Sequence, residues 1–101
     1  MERSFSVGAP GTGNSIKLYD VALPGATNVN GAESIADLRR VRPATKTLLF
    51  DLDTLGIPLD NVEGLTYGPR LPDGRRSLVL VSDNNFAASQ FTQFLLFALD
   101  R

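Results

Sequence analysis

The chain contains neither cysteine nor histidine among its 101 residues. Without cysteine there is no disulfide, no thiolate metal site and no thiol nucleophile. Without histidine, this chain cannot by itself build a Ser-His-Asp triad, a Cys-His pair or the usual zinc sites. Any chemistry falls to Asp, Glu, Lys, Arg, Ser, Thr, Tyr and Asn. An excess of charge is also lacking, since ten basic and eleven acidic residues leave a formal net charge of −1. The basic runs are short, Arg39-Arg40 with Arg42 and then Arg75-Arg76. No nucleic-acid partner is therefore expected, because a phosphate backbone calls for a concentrated positive field. No apolar stretch approaches the roughly 20 residues of a membrane helix. Met1 to Val7 has no basic segment followed by an apolar run, so neither a membrane partner nor a signal peptide is expected in this chain.

What is present is ordinary for a small globular unit, with 43% hydrophobic and 21% charged residues. Such a balance argues against disorder, and the length allows one small domain at most. Turn chemistry punctuates the chain. Gly8-Ala9-Pro10-Gly11-Thr12-Gly13-Asn14 and Pro24 to Gly31 read as loops, and Leu71-Pro72-Asp73-Gly74-Arg75 is the sharpest turn signal. Proline presets φ there, and Asp-Gly tolerates a tight reversal. Between the loops, β-rich runs predict strands over Arg3–Val7, Ile16–Leu23, Lys46–Asp53, Gly64–Gly68, Ser77–Ser82 and Gln93–Leu99. The Pro-Asp-Gly turn should join the fourth and fifth as an antiparallel hairpin. Glu33 to Arg40 could form two helical turns within a loop. Ser34 and Asp37 have roughly capping-box spacing, with Ile35 and Leu38 on one face.

Three runs are apolar at every position: Leu48-Leu49-Phe50, Leu78 to Val81, and Phe94 to Leu99. Strands of that kind are covered on both faces. The connections are mostly too short for crossover helices, so the economical solution is small antiparallel sheets stacked on one another, in a sandwich or a propeller. A degenerate repeat points the same way. Glu2-Arg3-Ser4-Phe5 aligns with Asp83-Asn84-Asn85-Phe86, and each is followed by a small-residue loop and an aromatic-centred strand. The offset is about eighty residues, longer than a usual blade, and loop inserts around 25–45 account for the excess.

The segment Asp60-Asn61-Val62-Glu63-Gly64-Leu65-Thr66-Tyr67-Gly68-Pro69, followed by Leu71 to Arg76 and by Ser77 to Phe86, resembles the C-terminal signature of the family known for the "esterase-like activity of phytase". Glu2 to Ser6 and Ile16 to Tyr19 resemble the blade before it. The resemblance implies an all-β, antiparallel, partial β-propeller of about two blades, with residues 1–57 the penultimate blade and 58–101 the last. It also implies a calcium-assisted phosphoester or ester hydrolase, acting on a small molecule and located outside the cytoplasm of a bacterium, in the periplasm or beyond. Family members are considerably longer, so this chain is expected to be a fragment that is inactive alone and completed by further blades or by self-association. A non-catalytic binding propeller is the alternative, since one fold hosts many functions.

On that frame, Glu63 begins the innermost strand of the last blade and faces the central channel. Its carboxylate is a hard oxygen ligand suited to Ca²⁺. Asp83 and Asn84 end the neighbouring strand, and their side chains suit either a calcium shell or an Asx turn. Arg3 could pair a substrate phosphate or form a structural ion pair. Glu2, as the repeat equivalent of Asp83, could face the same channel. Asp51 and Asp53 would share a strand face, where paired carboxylates can bind metal or move protons; solvation is the commoner outcome. Catalytic residues are not assigned.

Overall fold

The 71–74 turn is where local chemistry dictates geometry most plainly. In the computed structural model, which describes residues 1–8 and 11–100, Gly74 takes a positive φ of 84°. Its N–H donates to the Leu71 carbonyl at 2.8 Å, and the Asp73 carboxylate accepts the Arg75 N–H at 3.0 Å. This turn joins β4 (Val62–Arg70) to β5 (Arg76–Ser82), and β6 (Phe94–Leu99) completes a three-stranded antiparallel sheet in the order β4-β5-β6. The first half of the chain builds the matching unit. There β1 (Glu2–Phe5), β2 (Asn14–Ala22) and β3 (Thr45–Asp51) pair in the order β1-β2-β3. Among the described residues the protein is all-β, with six antiparallel strands in two three-stranded, propeller-like sheets.

The core lies between the two sheets. Ile16 and Leu18 of β2 meet Leu78 and Leu80 of β5, and Leu52, Leu59 and Val62 close the cluster. The Phe50 and Phe97 rings, one from each sheet, sit 5.4 Å apart at 58°, a tilted aromatic contact of the favourable kind.

All six expected strands form, with shifted ends. The third stops at Asp51 instead of reaching Asp53. There the Asp51 carboxylate accepts the Asp53 N–H and caps a 3-10 turn over Leu52–Leu55, which drives Leu52 fully into the core. The expected helix at 33–40 contracts to a three-residue 3-10 turn, Ile35–Asp37, with the Ser34 hydroxyl accepting the Ala36 N–H. The segment is too short to sustain more. The Asp37 side chain, the other half of the expected capping box, and Ala9 and Pro10 of the first loop lie outside the described residues.

Two expectations are corrected. The repeat fails at its first element: Glu2–Phe5 is a strand, whereas Asp83 to Phe86 is a turn whose Phe86 is fully exposed. The apolar runs are not covered on both faces: Leu48 and Leu49 of the first run are both exposed, and the other two alternate. Alternation sends Leu78 and Leu80 inward but leaves Phe94 72% and Leu96 64% exposed. The chain exposes 7641 Å² in all, against about 5,600 Å² for a compact monomer of this mass. Its radius of gyration is 17.1 Å, against about 13 Å for a compact domain of this length.

Candidate functional site

The run Asp60-Asn61-Val62-Glu63-Gly64 opens β4 and organises the site. Val62 is fully buried and pairs with Ser82, while Gly64 pairs with Val81. Glu63 is the extra residue between them, a bulge of the sort that re-aims a side chain. Its carboxylate, about half exposed, receives the Arg3 guanidinium at 3.4 Å and the Asn61 amide at 2.5 Å. Arg3 lies on β1 opposite Ile16, so the pair ties the first sheet to the start of the second.

Asp60 is 2% exposed. Burying a carboxylate is costly unless its oxygens are hydrogen-bonded, and here both are. One accepts the Asn61 N–H at 2.7 Å and the other the Phe91 N–H at 2.6 Å. Ser82 reinforces the same corner, donating to the Phe91 carbonyl and accepting the Gln93 N–H, both at 2.9 Å. The 83–93 loop is thereby pinned against the start of β4. On the opposite side, the Thr12 hydroxyl donates to the Leu59 carbonyl and holds the 11–14 loop in place. Between these anchors opens a cleft of about 790 Å³, with Arg3 and Phe5 of β1 and Asp60 and Asn61 before β4 on its lining. Among the described residues Arg3 is the one Lys or Arg side chain that lines it.

Of the sequence candidates, Glu63 and Arg3 come together. Asp83 and Asn84 are engaged locally instead, as successive Asx turns. The Asp83 carboxylate accepts the Asn85 N–H at 3.3 Å, and the Asn84 side chain accepts the Phe86 N–H at 3.1 Å. Asn85 and Phe86 follow in the left-handed region. Glu2 pairs with Lys46, whose ammonium also lies 4.3 Å from the centre of the Tyr19 ring. The hydrogen bond to Glu2 holds the Lys46 pKa above its ordinary value. Asp51 and Asp53 serve the first sheet. Asp51 takes the Lys17 ammonium at 2.6 Å, which lowers the carboxyl pKa and raises that of the lysine. Asp53 accepts the Ser15 hydroxyl at 2.6 Å and the Ile16 N–H at 3.4 Å.

Calcium takes six to eight oxygen ligands. Among the described residues no group of three acidic side chains gathers that could hold a metal ion, and Glu63 already faces a cation. The side chains placed here do not form a complete calcium shell.

Sequence reasoning met Asp60 in the family segment and Phe5 in the repeat but gave neither a role at the site. A lone acid before a strand carries no periodic signal, and an aromatic in a β-run reads as core. Asn61 was visible only as part of the Asn-x-Glu-Gly motif, whose i, i+2 spacing brings the amide to the carboxylate.

Comparison with known proteins adds one match. Searches of curated proteins and of solved structures found none. The model of the Phytase-like family, described as "Esterase-like activity of phytase", matches residues 1–86. That stretch runs from β1 through the turn after β5 and includes both partners of the Arg3–Glu63 pair. The chain belongs to the phytase-like family.

Proposed function

We propose that this chain supplies part of the substrate cleft of a phytase-like hydrolase acting on esters or phosphoesters, with Arg3 binding a single anionic group of the substrate. The observation that carries the reading is the position of Arg3, the sole cationic side chain on the cleft lining among the described residues, half exposed and paired with Glu63. A guanidinium is suited to planar or tetrahedral oxyanions. Binding of phenyl phosphate, followed by saturation-transfer NMR, tests it. Arg3→Gln should weaken binding by about tenfold, the loss of one charge-assisted contact. Absence of binding, or binding indifferent to Arg3, rejects the reading.

The proposal includes a negligible turnover by the chain alone. Catalysis needs groups held around the substrate from several sides, and this cleft is open with one cation. Turnover of a phosphomonoester or short acyl ester that disappears in Glu63→Gln would overturn that part. Calcium enters only in reduced form. Glu63 offers one carboxylate, and further ligands must be carbonyls, amide oxygens, waters or groups outside this set. A thermal melt in millimolar CaCl₂ against EGTA checks it, since a ligand of the native state raises stability by mass action. An unchanged melting temperature removes calcium from the proposal.

A further inference from the structure

The cleft is poor in positive charge and rich in neutral hydrogen-bonding groups. Arg3 is paired with Glu63, and Asp60, also on the lining, is a second acid whose oxygens are spent on backbone amides, so the cleft offers no surplus of positive charge. A polyanion recruits several cations to its site, and these are not here. The neutral groups are both donors and acceptors. Asn14 spends its amide NH₂ on Thr12, and Asn61 spends its own on Glu63. Both leave a carbonyl oxygen without a partner among the described residues. Gln90 accepts from Asn85 at 3.1 Å and keeps its NH₂. The Ser4 and Ser89 hydroxyls, on the same lining, also have no partner among the described residues. Hydroxyl groups, each a donor and an acceptor, match such a mixed neutral set. Phe5 adds an apolar platform. Its ring lines the cleft and is 64% exposed, a cost in water that is removed when an apolar face packs on it. The C–H face of a ring polyol or sugar provides that face while its hydroxyls turn to the amides. The volume of about 790 Å³ falls in the range of small-molecule sites.

We propose that the cleft takes a hydroxyl-rich, uncharged molecular body, a polyol or saccharide bearing one ester or phosphoester group, rather than a polyanion. This rests on the cleft being the substrate site. Saturation-transfer NMR of the full chain with myo-inositol, cellobiose and maltose tests it, with myo-inositol hexakisphosphate as the charged comparator. At least one uncharged probe should bind saturably, with an affinity that stays the same from about 50 to about 500 mM NaCl, as expected without ion pairing. Phe5→Ala should weaken that binding by about tenfold. Gln90→Ala, also on the lining, should weaken it measurably, and circular dichroism checks that both variants keep the parent's strand content. No binding by any uncharged probe overturns the inference. So does a hexakisphosphate that binds more tightly than all three and is released by salt. Phenyl phosphate separates the two ideas. If it fails to engage Arg3 while an uncharged probe binds, the hydrolase reading falls and the polyol site stands.

Discussion

The two sheets share a topology but divide the work differently. In the second, the middle strand carries the core: Ser77, Leu78, Leu80 and Ser82 of β5 are all buried, and the hairpin into it closes through a four-residue turn. In the first, β2 is buried only over its first half, at Ile16 and Leu18, and is exposed by Val21. A long excursion, residues 23–44, separates it from β3. The first sheet compensates with charge, placing Lys17–Asp51 and Lys46–Glu2 across its strands, whereas the outer face of the second presents Phe94 and Leu96. The first sheet also leaves Leu48 and Leu49 about half exposed but carries charge beside them, whereas β6 exposes Phe94 and Leu96 and has no charged residue of its own. Opposite charges exposed to solvent stabilise a ladder only slightly, and the apolar surface left on β6 at Phe94 and Leu96 is the larger unmet demand for a neighbour.

The largest expected effect concerns that demand. The surface excess over a compact monomer is on the order of 2,000 Å², enough for a standard protein interface. The β6 edge also contains no lysine or proline to discourage pairing. The chain should elute as an assembly or aggregate in size-exclusion chromatography with light scattering, and Phe94→Glu with Leu96→Glu should shift it toward monomer. A sharp 10.9 kDa peak from the unsubstituted chain would erase the distinction between the two outer faces.

Next comes the core. Leu80→Ala should cost about 2–5 kcal/mol in urea unfolding, while Leu48→Ala on the exposed face of β3 should cost less than about 1 kcal/mol. Equal losses would mean that both sheets are anchored alike. Gly64→Ala sharpens the account of the bulge. A Cβ there would sit 2.6 Å from the Val81 Cγ1, and overpacking of this kind costs about 1–3 kcal/mol. Retention of the parental urea midpoint would show that β4 can slide away.

The smallest effect is electrostatic and belongs to the first sheet. The lowered Asp51 pKa makes its contribution present above the unfolded carboxyl pKa and lost as pH falls through the folded one. The raised Lys17 pKa makes its contribution present below the unfolded ammonium pKa and lost as pH rises through the folded one. Lys17→Met should lower the melting temperature slightly in the neutral region, where the pair contributes, and leave the acid and alkaline ends nearly unchanged, so that the profile flattens. A variant profile parallel to the parent's across the whole range would remove the pair from the stability of the sheet.

The strands were legible because β-branched and aromatic runs alternate with Gly, Pro and Asp, and the 71–74 turn was legible because Asp-Gly leaves few alternatives. Strand ends were less so. Nothing in Phe50-Asp51-Leu52-Asp53 announces that Asp51 stops the strand by bonding the amide of Asp53. The apolar runs announced greasy strands, but sequence could not say how much of each this chain would cover: Leu78 and Leu80 are buried, while Leu48 and Leu49 both stay exposed. Glu63 and Arg3 were singled out through the family motif and do meet. The rest of the cleft arises from side chains as plain as Ser89, Gln90 and Asn14, whose convergence depends on tertiary placement alone.

The anchors of the cleft also set when it can exist during folding. Each sheet is a meander of neighbouring strands, so its ladders need few distant encounters. The cleft needs many: Asp60 reaches Phe91 across 31 residues, Thr12 reaches Leu59 across 47, and Arg3 reaches Glu63 across 60. Closing such loops costs entropy before any contact rewards it. The cleft is therefore the last region of the molecule to take shape and the first to be lost. A ligand bound there would add its stabilisation only after both sheets have formed and docked, and would slow unfolding more than it speeds folding.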